Sequence, residues 1–496
     1  MQRLSNTSAW PVHGRDHIRT LEARLQAHNA SPLMQKAGLA AARLALAMAP
    51  HAQRIWVAAG PGNNGGDGLE AALHLHHWGK SVHVSLVASP SDLPADAHAA
   101  WQRAKTAGVH ITSDLPTAWL AEMGPQDLCI DALLGIGATR PLSAKMQSWV
   151  QTINHNNAQV LAIDAPTGLD PESGQLLGGP TDTALCVQAD QTLTFTAAKP
   201  GLFMGHGRDA CGQLWLESLG YVPASSATSP QAWLNTPQAR PPQSHANHKG
   251  SHGDVAVIGG EAMAVHGMGM TGAAVLAANA ALHAGAGRVI LSLLSGQATD
   301  SAPPDVMQRE WQRLDLEKLH VVCGCGGGQT VQAVLPEVLR RSAQLVLDAD
   351  GLNAVAQDNK LKDGLRQRAD AQPTVITPHP LEAARLLNIS TAQVQSDRLK
   401  AAQNLADQLQ CTVVLKGSGT VIAAPDQTPR INTSGNGRLA IGGTGDVLAG
   451  LIGARLAQGL SAFDAACAAV AQHGQTADDW PKAEALTACR LAERLT

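Results

Sequence analysis

GNGRLAIGGTGDVLAGLIG, residues 435–453, joins a glycine-rich turn to an apolar run at helical spacing. The turn, Gly442-Gly443-Thr444-Gly445, therefore stands at a helix N-terminus, where unpaired backbone N–H groups and the helix dipole attract anions. Glycine puts no Cβ between backbone and phosphate. Asp446 adds a negative charge that a plain phosphate cradle does not need. It makes sense beside a substrate hydroxyl that gives up or receives a proton next to the phosphate. Taken alone, the same residues also describe a glycine turn with a capping aspartate.

Outward from this turn, the second half alternates strands and helices, the pattern of an α/β layer fold. DVAVIGG and HVVCGCGGG are strands running into glycine loops. QLVLDADGLN sets Asp348 and Asp350 after a strand. TVITPHPLEAARLL places His379 between prolines, before a helix holding Glu382. CTVVLKGSGTVIA ends a strand at Lys416 and turns back as a hairpin. A lone His is more often a cap, a strand-end Lys a solvated charge, and Asp350 a cap of the next helix. Together with the turn at 442–445 they describe a purine nucleotide site. Lys416 holds the phosphate or ribose edge, the glycine N–H groups face developing negative charge, and Asp446 handles the hydroxyl.

The first half repeats the alternation. Ser31-Pro32 opens a helix that runs to Pro50. RIWVAA (Arg54–Ala59) reads as a buried strand leading into a loop, GPGNNGGDGL (Gly60–Leu69), and then a helix. Strand, glycine loop and helix form the phosphate-binding arrangement of a doubly wound sheet, although neither GxGxxG nor a P-loop lysine is present. Asn63, Asn64 and Asp67 offer oxygens to a cation or to nucleotide hydroxyls. DLCIDALLGIG and VLAIDAPTGLD put Asp131 and Asp164 at further strand ends, with Thr167 close behind. Ligands bind outside the carboxyl ends of parallel strands, and an oxygen-only donor set suits a hard cation. Pro223–Asn247, rich in Pro, Ser, Ala, Thr and Gln, reads as an interdomain linker.

Composition narrows the function class. A chain of 496 residues is too long for one core. A net charge of −4 and scarce aromatics (Tyr 1, Phe 3) argue against nucleic-acid binding. The eight cysteines form no CxxC or zinc pattern and suit a reduced, cytoplasmic setting. No apolar run is long enough to span a membrane, and MQRLSNTSAW has no signal core.

GPGNNGGDGL, IDALLGIG, IDAPTGLD and AAKPGL, in that order, resemble the NAD(P)HX epimerases, which interconvert the R and S forms of hydrated NAD(P)H. The resemblance covers about residues 1–222 and implies a Rossmann-like doubly wound α/β/α sandwich. It implies a K⁺ site at Asn64, Asp131 and Thr167, with Thr167 where the family usually has Ser. It implies NAD(P)HX contacts from Asn63, Asn64, Gly65, Gly66 and Asp67, from Gly135, Ile136, Gly137, Ala138, Thr139, Arg140 and Pro141, and from Asp164. Asp164 is the candidate proton-transfer residue.

KGSHGDVAVIGG, DADGLN, TPHPLEAARLL, VLKGSGTVI and NGRLAIGGTGD resemble the nucleotide-dependent NAD(P)HX dehydratases within the ribokinase-like superfamily. The resemblance begins near Ala246 and implies a ribokinase-like α/β domain over 248–496, after a 223–247 linker. It implies ADP, or ATP in some members, with Mg²⁺ on the nucleotide. The C6 hydroxyl of S-NAD(P)HX would be activated as a phosphate ester and eliminated to restore NAD(P)H. Carried over, Lys416, Gly417, Ser418, Gly419, Thr420 and Gly445 contact the nucleotide. Asp446, His379, Gly328 and Ala273 contact NAD(P)HX, with Asp446 as acid/base. A loop usually written Pro-Gly-Leu-Gly reads Cys325-Gly326-Gly327-Gly328 here, which loosens it. The expected whole is a two-domain repair enzyme, cytoplasmic and homo-oligomeric. Two other classes stay open: a ribokinase-like kinase of a vitamin precursor such as hydroxymethylpyrimidine or hydroxyethylthiazole, and a non-catalytic nucleotide sensor or scaffold in the first half.

Overall fold

Short runs of aliphatic residues become strands buried on both faces, as parallel sheets covered by helices require. The computed structural model describes all residues except 6, 29–30, 180–183, 223–228, 238–244, 247, 264–266, 268 and 496. It divides into two units whose main bodies are Trp10–Ala232 and Trp233–Thr496.

In the first unit an edge strand β1 (Gln2–Arg3) is followed by β2 (Arg54–Ala59), β3 (Ser81–Leu86), β4 (His110–Thr112), β5 (Leu128–Ala132), β6 (Gln159–Ile163), β7 (Gln191–Phe195) and β8 (Gln213–Glu217). The order across the sheet is β1-β8-β7-β6-β5-β2-β3-β4, parallel throughout except that β1 runs against β8. The chain leaves β2 toward β3 on one side and later returns to β5 on the other. The crevice at the carboxyl ends of β2 and β5 is thus the topological switch point, where open α/β sheets bind ligands.

Helices α1 (Arg15–His28), α2 (Leu33–Met48) and α3 (Asn63–His77) belong to this unit. Here the structure departs from the sequence expectation. The loop expected over 60–69 spans only 60–62, and α3 begins at Asn63. The glycines serve close packing instead of a turn. A Cβ on Gly65 would meet the Gly60 backbone, with its nitrogen 2.8 Å away, and one on Gly68 would press on Ala132 and on Val57 Cγ1 at 3.2 Å. Small residues let the helix N-terminus sit directly on the sheet at the switch point.

The second unit contains β9 (Ala232–Asn235), β10 (Asp254–Gly259), β11 (Arg288–Leu293), β12 (Met307–Gln308), β13 (His320–Cys323), β14 (Gln344–Leu347), β15 (Thr374–Ile376), β16 (Thr412–Leu415), β17 (Val421–Ala423) and β18 (Arg430–Asn432). They lie in the order β12-β11-β10-β13-β14-β15-β16-β17-β18-β9. β12 through β16 are parallel, β17 is antiparallel to both neighbours, and β9 pairs in parallel with β18. Strand β9 falls inside the stretch expected to be linker. Its Leu234 is buried and pairs with Ile431, so part of 223–247 belongs to the sheet, while 223–228, 238–244 and 247 lie outside the described residues. The switch point of this sheet lies between β10 and β13.

Helices α4 (Thr271–His283), α5 (Ala349–Gln357), α6 (Pro380–Leu387), α7 (Arg398–Leu409), α8 (Thr444–Ala457) and α9 (Ala462–Asp478) complete the layers named below. The apolar run of α8 is buried from Val447 through Ala457. Gly450 allows the closest approach, since a Cβ there would strike the backbone of Ala277 on α4. Among the described residues no helix is long and apolar enough to cross a membrane.

Candidate active sites

In the first unit, the switch point gathers the expected oxygens. Asp131, the fourth residue of β5, is fully buried. Its Oδ1 accepts from Thr167 Oγ1 at 2.7 Å and from Leu133 N at 3.1 Å, and its Oδ2 accepts from Thr167 N at 2.7 Å. Burial pushes its carboxyl up to about 6, against these hydrogen bonds, which pull it down. On α3, Asn64 has both amide atoms buried with no hydrogen-bond partner. Gly135 lies between this site and the next carboxylate: a Cβ there would be 2.7 Å from Asp164 Oδ2 and 3.0 Å from Asn64 Oδ1.

Asp164 follows β6. Its Oδ1 pairs with the buried Lys199 at 2.7 Å, and its Oδ2 accepts from Ile136 N at 2.7 Å. Asp67, half-buried on α3, has its carboxyl held well above the ordinary range by burial and by the charges of Asp164, Glu22 and Glu70. The loop 135–141 is fixed from outside the motif: Arg15 donates to Ile136 O at 2.7 Å and Ala138 O at 3.2 Å, and pairs with Asp170 at 2.8 Å. Gly137, Thr139, Arg140 and Pro141 are exposed, while Ala138 is buried. Asn63 is exposed at the start of α3, and Gly65 and Gly66 are buried within it.

In the second unit the helix tip forms as expected. Gly443 takes φ +93° at the N-cap of α8, a conformation that glycine adopts without strain. The Thr444 hydroxyl donates to Leu439 O at 2.9 Å and Ile441 O at 3.1 Å, tying the turn closed. Below it, His473 Nε2 meets Thr444 O at 3.0 Å, and burial pushes that imidazole down to about 4, so the ring stays neutral. Its Nε2 is therefore the donor.

Around the tip stand Lys416, Asp348, Asp446 and Cys325. Lys416 Nζ donates to Asp348 Oδ1 at 2.7 Å and lies 3.4 Å from where a Cβ on Gly445 would sit. Burial opposes the ammonium charge, but Asp348 and Glu382 outweigh it and its pKa is raised. Asp446 is pushed up to about 6 by burial and then by Asp348, with the Cys325 thiol and Lys416 pulling it back. Ligand atoms of Cys325, Asp348 and Asp446 lie within 4.8 Å of one another, and the thiol is hydrogen-bonded to the Asp446 carboxylate.

His379 is the N-cap of α6: Nδ1 accepts from Leu381 N at 3.1 Å, and the Glu382 carboxylate accepts from His379 N at 2.8 Å. Its exposed ring also sits 3.4 Å from Glu382, which is buried and pushed up to about 7 by that burial. Gly328, at φ +54°, donates to Asp350 Oδ2 at 2.9 Å, and a Cβ on it would collide with the buried Glu261 carboxylate. Ala273, in the first turn of α4, packs at this loop, 2.9 Å from where a Cβ on Gly326 would lie.

Gly417, Ser418, Gly419 and Thr420 form the turn between β16 and β17, with the Thr420 hydroxyl on Gly417 O at 3.0 Å. Arg398 supports this turn from beneath, donating to Leu415 O, Lys416 O and Gly419 O at 3.1, 3.2 and 3.4 Å. Sequence reading missed Lys199, Glu22, Arg15, Glu261 and Arg398. Each acts through a partner far away in the chain. Only Lys199 carried a signal, because it lies inside the quoted AAKPGL.

Residues 255–496 match the family described as NAD(P)H-hydrate dehydratase, and residues 30–201 match the family described as YjeF-related protein N-terminus. The bifunctional NAD(P)H-hydrate repair enzyme of Escherichia coli is 37% identical over 465 residues, covering 90% of this chain and 84% of that protein. Its counterpart from Coxiella burnetii is 35% identical over 463 residues, covering 90% and 89%. A solved ADP/ATP-dependent NAD(P)H-hydrate dehydratase from Bacillus subtilis, co-crystallised with ATP/Mg²⁺, is 30% identical, covering 52% of this chain and 92% of that one at a TM-score of 0.42. By its relatives the chain belongs to the family of bifunctional NAD(P)H-hydrate repair enzymes.

Proposed function

We propose that the first unit interconverts R- and S-NAD(P)HX and that the second dehydrates the S form at the expense of ADP or ATP, releasing AMP or ADP and phosphate. One observation carries the reading of the second site: Asp446, its carboxyl pushed up to about 6, stands directly behind the Gly443–Gly445 tip and near Lys416. A nucleotide phosphate would lie against the free N–H groups of the tip, with Lys416 and the 416–420 turn holding its other side. Asp446 takes the proton of the C6 hydroxyl as that oxygen accepts the terminal phosphoryl group. The C6–O bond then breaks, phosphate leaves, and loss of a proton from C5 restores the ring double bond. His379, Gly328 and Ala273 would border the hydrated coenzyme.

Mg²⁺ would ride mainly on the phosphate oxygens. Of the three groups converging at the tip, one is a protonated thiol and another is tied to Lys416, a poor set for a hard cation. K⁺ fits the first unit better. The orphaned Asn64 amide oxygen can complete a donor set with Thr167 and with Asp131, whose Oδ2 keeps one spare lone pair. Held there, it would supply a fixed positive charge to the switch-point crevice.

Joining the two activities is chemically sensible, because a dehydratase that accepts one epimer strands the other. The test is incubation with mixed NADHX epimers plus ADP or ATP, following the absorbance of the reduced ring. Full recovery, with one phosphate released per NADH, is expected. Recovery that stops at the S fraction would remove the epimerase, and a stable phosphorylated product would point to a small-molecule kinase instead.

A further inference from the structure

Strands β6 and β7 end in the same unusual way. The residues that follow them, Asp164 and Thr196, have φ of +68° and +66°. In each, the next N–H bonds back to the last strand carbonyl: Ala165 N to Ile163 O at 2.9 Å, and Ala197 N to Phe195 O at 2.7 Å. These are γ-turns of the positive-φ kind, which are rare and strained. Each such residue costs about 1–3 kcal/mol, and a β-branched threonine tolerates it least. The strain aims two side chains into one cluster. Asp164 meets Lys199, while the Thr196 hydroxyl donates to Glu22 Oε1 at 3.2 Å. Lys199 also donates to Thr194 Oγ1 at 2.6 Å and Phe195 O at 3.1 Å, so it spans both turns. Thr196 further lines a cavity of about 190 Å³ shared with Trp10, Leu216 and Tyr221.

We propose that Glu22, held by Thr196, is the second proton-transfer group of the epimerase centre, working against Asp164. The proposal rests on the epimerase reading of this unit. Inverting C6 requires a donor where hydroxyl leaves and an acceptor where water returns. The Glu22 carboxyl protonates the departing hydroxyl, the C6–O bond breaks, and the ring nitrogen lone pair forms N1=C6 with release of water. Water then adds to the other face of C6, Asp164 takes its proton, and the electron pair returns to N1. The two carboxyls exchange the proton through solvent, so atoms and charge balance. Glu22 suits the donor role. Burial and then Asp164 raise its pKa, Lys199, Thr196 and Arg19 lower it, and Asp67 faces the same cluster.

The full-length protein is assayed without nucleotide for R-to-S conversion by chromatography across pH, as wild type, Glu22→Gln, Glu22→Asp, Thr196→Val and Asp164→Asn. In Glu22→Gln, kcat falls about 100-fold with KM within about threefold, and the alkaline limb of the wild-type profile disappears. Glu22→Asp restores part of kcat. Thr196→Val, which removes a hydrogen bond favouring the charged carboxyl, moves the alkaline limb to higher pH, a shift that a structural role would not produce. Thermal unfolding of the first unit reports that each variant is folded, and nucleotide-dependent dehydration of pure S-NADHX by the second unit stays unchanged. The proposal is overturned if Glu22→Gln keeps kcat within about threefold of wild type, if only KM changes, or if the alkaline limb stays fixed in Thr196→Val. Failure of the wild type to interconvert the epimers would sink the epimerase reading itself, a distinct result.

Discussion

The Lys416 ammonium lies 2.7 Å from the Asp348 carboxylate, and the two link the end of β16 to the start of α5 beneath the α8 tip. The pair keeps a cation beside the glycine turn, where the proposed phosphate site calls for one, and offsets its charge. Asp348 is buried, so removing its partner leaves an uncompensated charge. Lys416→Met is expected to lower stability by about 3 kcal/mol and to weaken ADP binding by at least about tenfold. Adding Asp348→Asn should recover much of the stability and none of the affinity. Thermal unfolding and ADP titration of the single and double variants separate the two effects.

Asp446 carries a stability cost that the proposed acid/base role would explain. Its carboxyl is pushed up to about 6 in the folded protein from an ordinary 3.8. Such a group contributes stability that is full below about 4 and lost as pH rises through about 6. At pH 7 the cost is about 3 kcal/mol. Asp446→Asn should therefore raise the melting temperature at pH 7 and change it little at pH 4. Turnover should fall by about 10³-fold with ADP affinity nearly intact. Wild-type dehydration should decline below about pH 6, as Asp446 loses the carboxylate form that accepts the proton. An Asn variant that keeps turnover removes Asp446 from the chemistry.

The thiols are expected to be inert, with one exception. Seven of the eight cysteines are buried and only Cys489 is exposed. Burial holds the Cys325 thiol well above its ordinary range, and the nearby carboxylates push the same way. Alkylation depends on the thiolate and on access. Iodoacetamide should therefore modify Cys489 alone in the folded protein, with all eight modified after denaturation. Peptide mass spectrometry reads this directly, and rapid native labelling at Cys325 would show that the tip opens far more than the structure implies.

At the first switch point, glycine packing is the expectation to test. Gly65→Ala places a Cβ against the Gly60 backbone, which has no flexible end to yield. The cost should be at least about 2 kcal/mol, read as a lowered unfolding midpoint in denaturant. A change within experimental scatter would mean that α3 can slide off β2 freely.

The parts of these sites that were legible in sequence are those built by neighbours along the chain. The α8 tip needs only Gly443, Thr444, Gly445 and Asp446 in a row, and strand-end aspartates follow from short apolar runs. The parts that were not legible depend on long-range pairing. Glu22 looks like any solvated glutamate on an amphipathic helix until Thr196 reaches it. Arg398 looks like a surface charge beginning a helix, yet it is buried under the 416–420 turn. The stretch GPGNNGGDGL reads as a loop because glycine signals turns locally, whereas in the fold its glycines answer to Gly60 and Ala132 across the packing interface. Strand β9 was hidden by the Pro- and Ser-rich residues around it.

The unpartnered amide of Asn64 makes the cation prediction sharp. A buried amide without a hydrogen bond costs about 1–3 kcal/mol, and a bound cation would remove that cost. A ligand that binds only the folded state stabilises by RT ln(1 + [L]/Kd). Replacing choline chloride with KCl at constant ionic strength should therefore raise the melting temperature of the first unit's transition. The response should vanish in Asn64→Ala and weaken in Thr167→Ala. Thr167→Ser keeps the hydroxyl that bonds Asp131 and should retain it. Melting temperatures that do not distinguish K⁺ from choline would leave the Asn64 amide without a cation and return it to a purely substrate-facing role.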